Sequence, residues 1–215
     1  MSRVLRGAAN KLVGLSLLAV GAVGAQQPTL RLGAMAGPVF GNFHGADITG
    51  TSSRTSLAAG AFATFELNKN VAVEPQVFFA GKGASIDVGG GTTGTFKLDY
   101  IEIPLLLKVL YPLQGATRVV PNAFVGPAVA FRSTCKVKAS GGGVTVEQSC
   151  AAASLPIKST DFLLTFGAGL DVGPVALQVR YDLGLSKIDD TSPPADVKTQ
   201  AWIVTAGFGF PIGGH

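Results

Sequence analysis

The stretch "LDYIEIPLLLKVLYPL", residues 98–113, decides the fold because it is nearly all apolar yet carries Glu102 and Lys108. Its central proline and two β-branched isoleucines argue against a helix. In an extended chain, successive side chains point to opposite faces. One face is then wholly apolar and consists of Ile101, Ile103, Leu105, Leu107, Val109 and Tyr111. The other face is mixed and consists of Glu102, Pro104, Leu106, Lys108 and Leu110. The stretch therefore predicts a β-strand with a continuous apolar surface on one side only.

The composition of the chain is unusually apolar. Of its 215 residues, 47% are hydrophobic and 14% are charged, and the mean hydropathy is +0.40. About 25% of residues are charged in ordinary globular domains. The 29 glycines and 12 prolines indicate a chain punctuated by turns. Beyond the N-terminal region, no uncharged apolar run reaches the ~18–20 residues that a spanning helix needs. The composition favours the other structure that satisfies its backbone in lipid, a closed β-barrel.

The N-terminal region has the pattern of a secretory signal peptide. Three basic residues precede the apolar run "LVGLSLLAVGAVGA" (12–25), which ends in small residues. We expect cleavage after Ala25, which leaves residues 1–25 as the signal peptide and residues 26–215 as the barrel domain. The alternative, an anchoring helix, requires a longer apolar run. Cleavage lowers the formal net charge from +4 to +1 (4 − 3), so the sequence gives no reason to expect a nucleic-acid partner.

Extended segments recur along the mature chain at fairly even spacing, and none shows sustained helical periodicity. The eight segments lie at residues 31–40, 54–67, 71–83, 95–111, 119–133, 161–172, 175–187 and 198–212. Long connections at 41–53, 84–94, 134–160 and 188–197 alternate with short ones at 68–70, 112–118 and 173–174. Outer-membrane barrels combine short periplasmic turns with longer extracellular loops. The pattern predicts an all-β fold: an eight-stranded antiparallel up-and-down transmembrane β-barrel with periplasmic termini.

The polar face of these segments separates two kinds of barrel. A soluble, lipocalin-like barrel needs a surface with ~25–35% charged residues, whereas this face is rich in Gly, Ala and Thr with isolated charges. Such a face suits the narrow interior of an eight-stranded barrel. We expect a lumenal polar network of Glu66, Glu74, Lys82, Glu102, Lys108, Arg180 and Asp182. Arg180 is expected to pair with Glu102 and Glu74, with Asp182 beside it. The network either fills the lumen with structural ion pairs or forms part of a path for ions.

Five runs of the sequence resemble, in order, one known family. They are "VAVEPQVFFAGKGA" (71–84), "LDYIEIPLLLKV" (98–109), "FVGPAVAF" (124–131), "FGAGLDV" (166–172) and "LQVRYDLGLSKI" (177–188). The family is that of small bacterial outer-membrane β-barrel domains, also known as PorT-like or porin-family proteins. The resemblance implies a barrel of OmpA/OmpX-type architecture in the lipid bilayer of the outer membrane, inserted by the barrel-assembly machinery. Many such barrels end on an aromatic residue, whereas here Phe210 is followed by "PIGGH".

Residues suited to catalysis or metal binding are few. His44 lies in the first long connection near Asp47, Ser52 and Ser53, and His215 ends the chain. No motif joins these residues into a nucleophile–base arrangement, and the two histidines and two cysteines lack zinc-ligand spacing. The runs "GGGTTG" (89–94) and "SGGG" (140–143) have no nucleotide-binding context, so we interpret them as flexible loops. We therefore expect no enzyme activity, metal or cofactor.

The two cysteines, Cys135 and Cys150, flank the longest predicted loop. A signal peptide directs the chain to an oxidising compartment, where paired cysteines persist. We predict a disulfide between them; the alternative is two free thiols. The function that these observations favour is a structural, adhesion or surface-interaction role through the four long loops, whose partner the sequence does not specify. The alternatives are a small pore for ions or solutes and a soluble lipocalin-like ligand-binding barrel.

Overall fold

The computed structural model describes residues 30–115 and 118–212. The predicted signal peptide and His215 lie outside the described residues. The strands are β1 (Leu30–His44), β2 (Thr51–Asn68), β3 (Val71–Gly89), β4 (Thr92–Leu110), β5 (Val119–Gly141), β6 (Val144–Ser149), β7 (Thr160–Val172), β8 (Val175–Gly184) and β9 (Lys198–Ile212). Within the described residues, no helix is long and apolar enough to cross a membrane.

Eight of the strands close into a ring. Every pairing is antiparallel, and the order around the ring is β1, β2, β3, β4, β5, β7, β8 and β9, which pairs back with β1. Among the described residues, the short strand β6 pairs with β5 alone, above the ring. The predicted eight-stranded antiparallel up-and-down barrel is confirmed. Because β3 and β8 are four strands apart in the ring, their inward side chains face each other across the lumen.

The alternation of the sequence decides which side chains fill the barrel. On β4, Leu105 is 52% exposed on the outer face, whereas its neighbour Leu106 is fully buried in the lumen. The same period-two pattern runs along β3, β8 and β9, as expected for strands with one face inside. Inward glycines leave room for large neighbours. At Gly209 a Cβ atom would lie 2.6 Å from Arg31 Nε and 2.8 Å from the Phe62 ring.

The two ends of the barrel differ. At the end that we name the turn end, the connections are residues 69–70, 111–118 and 173–174, and both described termini lie there. The opposite end, which we name the loop end, has connections at 45–50, 90–91, 142–143, 150–159 and 185–197. The predicted long loops at 84–94 and 134–160 are wrong in large part, since β3, β4, β5 and β6 continue through them as paired strands.

The glycine runs in these segments are tight turns rather than flexible loops. Gly89, Gly90 and Gly91 have φ values of 86°, 59° and 73°, and Gly142 and Gly143 have 57° and 80°. Only glycine adopts such positive φ values without steric cost. The turns allow β3 to return as β4 and β5 to return as β6, so the sheet extends beyond the ring.

The lumen is filled for most of its length, and a cavity of about 290 Å³ remains at the turn end. At the loop end it holds an apolar cluster that includes Phe43, Leu98, Tyr100, Leu163 and Ile188. A second cluster of Met35, Val39, Phe62, Phe78 and other apolar residues lies in the ring, and Ala72, Leu110 and Val120 form a third, smaller one. Side chains that fill an eight-stranded barrel in this way make it a packed core.

Candidate functional site

A belt of charged side chains crosses the lumen between the walls formed by β3, β4 and β8. Strand alternation turns these side chains inward, and each of the six is at most 1% exposed. We name this set the ionic belt: Glu74 and Lys82 on β3, Glu102 and Lys108 on β4, and Arg180 and Asp182 on β8. It contains three anions and three cations, so its formal charge is zero (3 − 3).

Arg180 joins opposite walls of the barrel. Its guanidinium donates to Glu102 Oε2 (2.8 Å), Gln76 Oε1 (3.1 Å) and Asp182 Oδ2 (3.2 Å), and it lies 4.5 Å from the centre of the Phe78 ring. Contacts with β3 and β4 from a residue on β8 bridge the lumen directly. Bidentate and charge-assisted contacts of this kind are the strong ones among hydrogen bonds.

The first half of the ionic belt consists of Arg180, Glu102, Asp182 and Lys82. The Lys82 ammonium nitrogen lies 2.6 Å from Glu102 Oε1 and 3.3 Å from Asp182 Oδ2. Thr165 donates to the other oxygen of Asp182 at 2.8 Å. Two cations therefore share two carboxylates.

Glu74 and Lys108 form the second half of the ionic belt. Lys108 Nζ donates to Glu74 Oε2 at 2.8 Å, and Gln76 and Gln178 donate to Glu74 Oε1 at 2.8 and 3.1 Å. Thr64 donates to Oε2 at 2.5 Å. Because Gln76 also accepts from Arg180, it links the two halves. The expected Arg180–Glu74 pair is wrong, since Lys108 on the neighbouring strand occupies that carboxylate.

Glu66 does not belong to the ionic belt. It lies near the turn end, where it pairs with the exposed Arg118 beside a cavity of about 290 Å³. Arg31 and Asp171 form a separate ion pair at 2.8 Å in the wall of this cavity. Glu66 follows the same inward alternation as the other predicted residues, but it is near the end of β2 and does not reach the centre of the barrel.

Sequence reasoning missed the uncharged polar residues that contact the ionic belt. Thr64, Gln76, Thr165 and Gln178 supply five of its hydrogen bonds to carboxylates or to Arg180. Their signal was present, because each lies at an inward position of a strand. Buried charges need such partners for their remaining lone pairs and protons.

The loop end carries a sheet that rises above the ring. Residues 51–53 of β2, 84–89 of β3, 92–97 of β4, 136–141 of β5 and all of β6 pair side by side. We name this part the extension sheet. All six residues of β6 are exposed, and within the described residues β6 has no neighbour on its second edge.

A disulfide fastens the base of the β5–β6 hairpin. Cys135 and Cys150 are bonded, with a Cα–Cα distance of 5.4 Å, and the Cys150 amide donates to the Cys135 carbonyl at 3.1 Å. Both cysteines pack in the apolar cluster at the loop end. The bond ties the end of β6 to β5 and so holds the free edge in place.

The residues considered for catalysis make local structural contacts. His44 Nε2 lies 3.3 Å from the Gly184 carbonyl oxygen, and the Asp47 carboxylate accepts from the Asp196 amide at 2.6 Å. Ser52 and Ser53 lie on β2, paired with β3. Across residues 30–115 and 118–212, no group of three or more His, Cys, Asp or Glu side chains is arranged to hold a metal ion.

Comparison with known proteins identifies a family and several similar folds. The family model described as "Outer membrane protein beta-barrel domain" matches residues 25–190, more than half of the chain. Similar solved structures include the attachment invasion locus protein Ail of Yersinia pestis, at 17% identity, with 84% of this chain and 98% of that chain covered and a TM-score of 0.43. OprG of Pseudomonas aeruginosa is 12% identical, with coverages of 85% and 95% and a TM-score of 0.44. The N-terminal barrel of Pseudomonas aeruginosa OprF is 11% identical, with coverages of 86% and 100% and a TM-score of 0.40. No match was found among curated proteins.

Proposed function

The chain belongs to the outer membrane protein beta-barrel family, and we propose that it is a closed barrel that presents a rigid β-sheet to partners at the cell surface. The protein lies in the outer membrane, and its apolar outer face contacts the lipid bilayer. Short turns of such barrels lie in the periplasm and longer loops outside. The turn end is therefore periplasmic and the loop end extracellular.

The observation that carries the proposal is the free edge of β6. Within the ring, every strand pairs with a ring strand on each side, whereas β6 has a single partner among the described residues. Natural proteins protect such edges with charges, prolines or bulges, and β6 carries a single charge, Glu147. An exposed edge accepts an extended peptide as an additional strand, with main-chain hydrogen bonds supplying affinity. The disulfide favours this use, because a preorganised edge costs less to order on binding.

The side chains around the edge indicate the kind of strand that would pair there. Val144 and Val146 are 65% and 58% exposed and continue the face of Val137, which packs on the apolar cluster at the loop end. The opposite face carries Lys97, Lys136 and Lys138 against Glu147 and, on β3, Asp87, a net charge of +1 (3 − 2). We infer a partner segment in which apolar and acidic residues alternate.

The ionic belt supports this surface role over a pore. Its contacts cross the lumen from β8 to β3 and β4, and apolar clusters pack on either side of it. An open channel would require these side chains to part, which would leave charges unpaired in a narrow interior. The proposal assigns the ionic belt a structural role and the protein no catalysis.

The proposal is tested with a synthetic peptide of alternating Glu and Val residues and the folded barrel in lipid nanodiscs. Peptide binding should slow hydrogen exchange of the amides in residues 144–149. The V146K variant places a charge on the edge and should weaken binding. The matched control is V88K, because Val88 is as exposed as Val144, 65%, but does not lie on β6. A peptide of alternating Lys and Val serves as the charge control. No protection of β6, or equal protection in V146K, would refute the docking edge.

The proposal also covers how the protein is exported and inserted into the membrane. We propose that residues 1–25 are removed during export, that residues 26–215 form the mature protein, and that the barrel-assembly machinery inserts it. Mass spectrometry of the protein purified from outer membranes should give a mature N-terminus at Gln26. Retention of the first 25 residues would show that they anchor the protein instead.

A further inference from the structure

The loop end contains an apolar pocket that neither the ionic belt nor the free edge uses. Its volume is about 180 Å³, and its walls include Phe43, Phe96, Leu98, Ile157, Ile188 and Val197. The rings of Phe43 and Phe96 meet edge to face, with centroids 6.3 Å apart. A dry apolar cavity of about 150 Å³ is large enough for benzene. The pocket therefore has room for one aromatic ring.

The pocket opens outward and is closed below. Phe96, Ile157 and Val197 are partly exposed, so its mouth meets the extracellular solvent. The inward residues of β4 below Leu98 are Tyr100, which is buried in the apolar cluster, and then Glu102 of the ionic belt. A ligand therefore enters and leaves from the outside.

Backbone hydrogen bonds hold the pocket in shape. The Ile188 amide donates to the Val197 carbonyl at 2.9 Å, and the Lys158 amide donates to the Ile188 carbonyl at 2.8 Å. The loop at 45–50 is fastened to the loop at 185–197 because the Asp196 amide donates to the Asp47 carboxylate at 2.6 Å. A preformed pocket of this kind binds without a large ordering cost.

The rim of the pocket is acidic. Its two loops, 45–50 and 185–197, carry Asp47, Lys187, Asp189, Asp190 and Asp196. Their net charge is −3 (1 − 4). Lys198, 3.6 Å from Asp196, and Lys158, next to the lining residue Ile157, reduce it to −1 (−3 + 2). Asp189 lines the pocket itself. A hydrogen bond from the Thr191 hydroxyl and one from the Ala195 amide lower the pKa of Asp189, so its carboxylate is charged at neutral pH.

The cation on the adjoining strand β5 does not offset this charge at the pocket. The Arg132 guanidinium is directed to backbone carbonyl oxygens and donates to those of Ile157 at 2.9 Å and Lys158 at 3.1 Å. The three lysines on the extension sheet, Lys97, Lys136 and Lys138, lie on its opposite face. The pocket thus combines aromatic walls with a negative rim.

We propose that this pocket is a binding site for small aromatic cations, with the ring packed against Phe43 and Phe96 and the ammonium group at the Asp189 rim. Aromatic faces attract cations electrostatically, and the carboxylate adds a charge-assisted contact. This site is independent of the free edge of β6.

Three one-ring probes separate the contributions of ring and charge: benzylamine, which is a cation at neutral pH, benzyl alcohol, which is neutral, and benzoate, which is an anion. Each is titrated against the full barrel in lipid nanodiscs by saturation-transfer NMR. We expect saturable binding of benzylamine, with benzyl alcohol at least about threefold weaker, as for a partly exposed ion pair, and no binding of benzoate.

Variants locate the site. A195F places a ring in the pocket and should abolish benzylamine binding, whereas A152F, at an exposed loop position outside the pocket, should leave it unchanged. The D189N variant should bind benzylamine only as tightly as the wild type binds benzyl alcohol. Heat-modifiable migration in detergent gels checks that each variant is folded. The proposal is overturned if benzylamine does not saturate the wild type, if benzyl alcohol binds equally well, or if folded A195F retains binding.

Discussion

Arg180 is the side chain through which most of the ionic belt is connected. It is 1% exposed and contacts Gln76, Glu102 and Asp182 on three strands and both sides of the lumen. A buried charge is costly unless opposite charges and hydrogen bonds surround it. The six charges are therefore stable as a neutral set, and each depends on the others.

Replacement of Arg180 by methionine should destabilise the barrel by about 3–5 kcal/mol, the cost of removing one partner from a buried ion pair. Lys82 alone would then face both Glu102 and Asp182. Urea-induced unfolding in lipid vesicles measures the free energy. R180M/D182N restores neutrality and should recover part of the loss, and K136M, which removes an exposed lysine, is the matched control. An R180M barrel as stable as the wild type would contradict the neutral-set account.

The neighbours Leu105 and Leu106 test the assigned faces. Leu106 is fully buried in the lumen, so L106A should leave a cavity and cost about 2–5 kcal/mol. Leu105 contacts lipid, which fills the space that L105A vacates, and the loss should be smaller. L105R should cost about 2–4 kcal/mol if the residue lies near the bilayer midplane. The measurement is the free energy of unfolding of the three variants. Equal losses in L105A and L106A would contradict the assigned faces.

Sequence periodicity determines which residues face inward but not which of them meet. The inward positions of Glu74, Lys82, Glu102, Lys108 and Arg180 all follow from alternation along their strands. The choice of Lys108 rather than Arg180 as the partner of Glu74 depends on how neighbouring strands are staggered around the ring. That stagger is a property of the closed barrel, and no single strand encodes it.

The β5–β6 hairpin depends on its disulfide more than the ring does. In the chain-entropy model, closing a loop of about 15 residues contributes about 3 kcal/mol. Reduction, or a C135A/C150A double variant, should therefore speed hydrogen exchange in residues 136–149 and leave exchange in β1, β8 and β9 unchanged. Heat-modifiable migration should persist. Loss of the folded barrel on reduction would show that the bond stabilises the ring itself.

The outer face of the extension sheet should resist mild acid. Hydrogen bonds from Lys97 and Lys136 lower the pKa of Glu147 from its ordinary 4.5 to about 2. Its stabilising contribution is complete above pH 4.5 and is lost as the pH falls toward 2, because a lowered folded-state pKa favours the ionised form. Carboxyl ¹³C NMR should give a midpoint near pH 2, and K97M should raise it. A midpoint near 4.5 in the wild type would mean that the ion pairs do not form in solution.

The extension sheet is the element that sequence reasoning did not find. Segments 84–94 and 134–160 are rich in Gly, Ser and Thr, a composition that predicts loops. Each becomes a strand because a neighbour supplies its hydrogen bonds: Ser85 pairs with Thr95, and Lys138 with Glu147. Pairing of this kind depends on residues distant in sequence, so local composition does not reveal it.

The whole molecule combines a closed interior with an open edge. Eight strands pair without a free edge in the ring, as a bilayer requires of a β-structure. Side chains from opposite walls meet in its lumen, and β6, whose second edge is unpaired along its whole length among the described residues, lies above the ring. Under the proposed function, the barrel is an anchor and its recognition surface is at the extracellular end.

The measurement that tests this account most directly is the conductance of the purified protein in planar lipid bilayers. A lumen crossed by Arg180 and filled by apolar clusters should give no steady ionic current from single inserted barrels. R180M/D182N, which keeps the charge neutral but removes the bridge, should conduct more than the wild type. Large, stable, ion-selective channels formed by the wild-type monomer would contradict the account and make transport the function of the lumen.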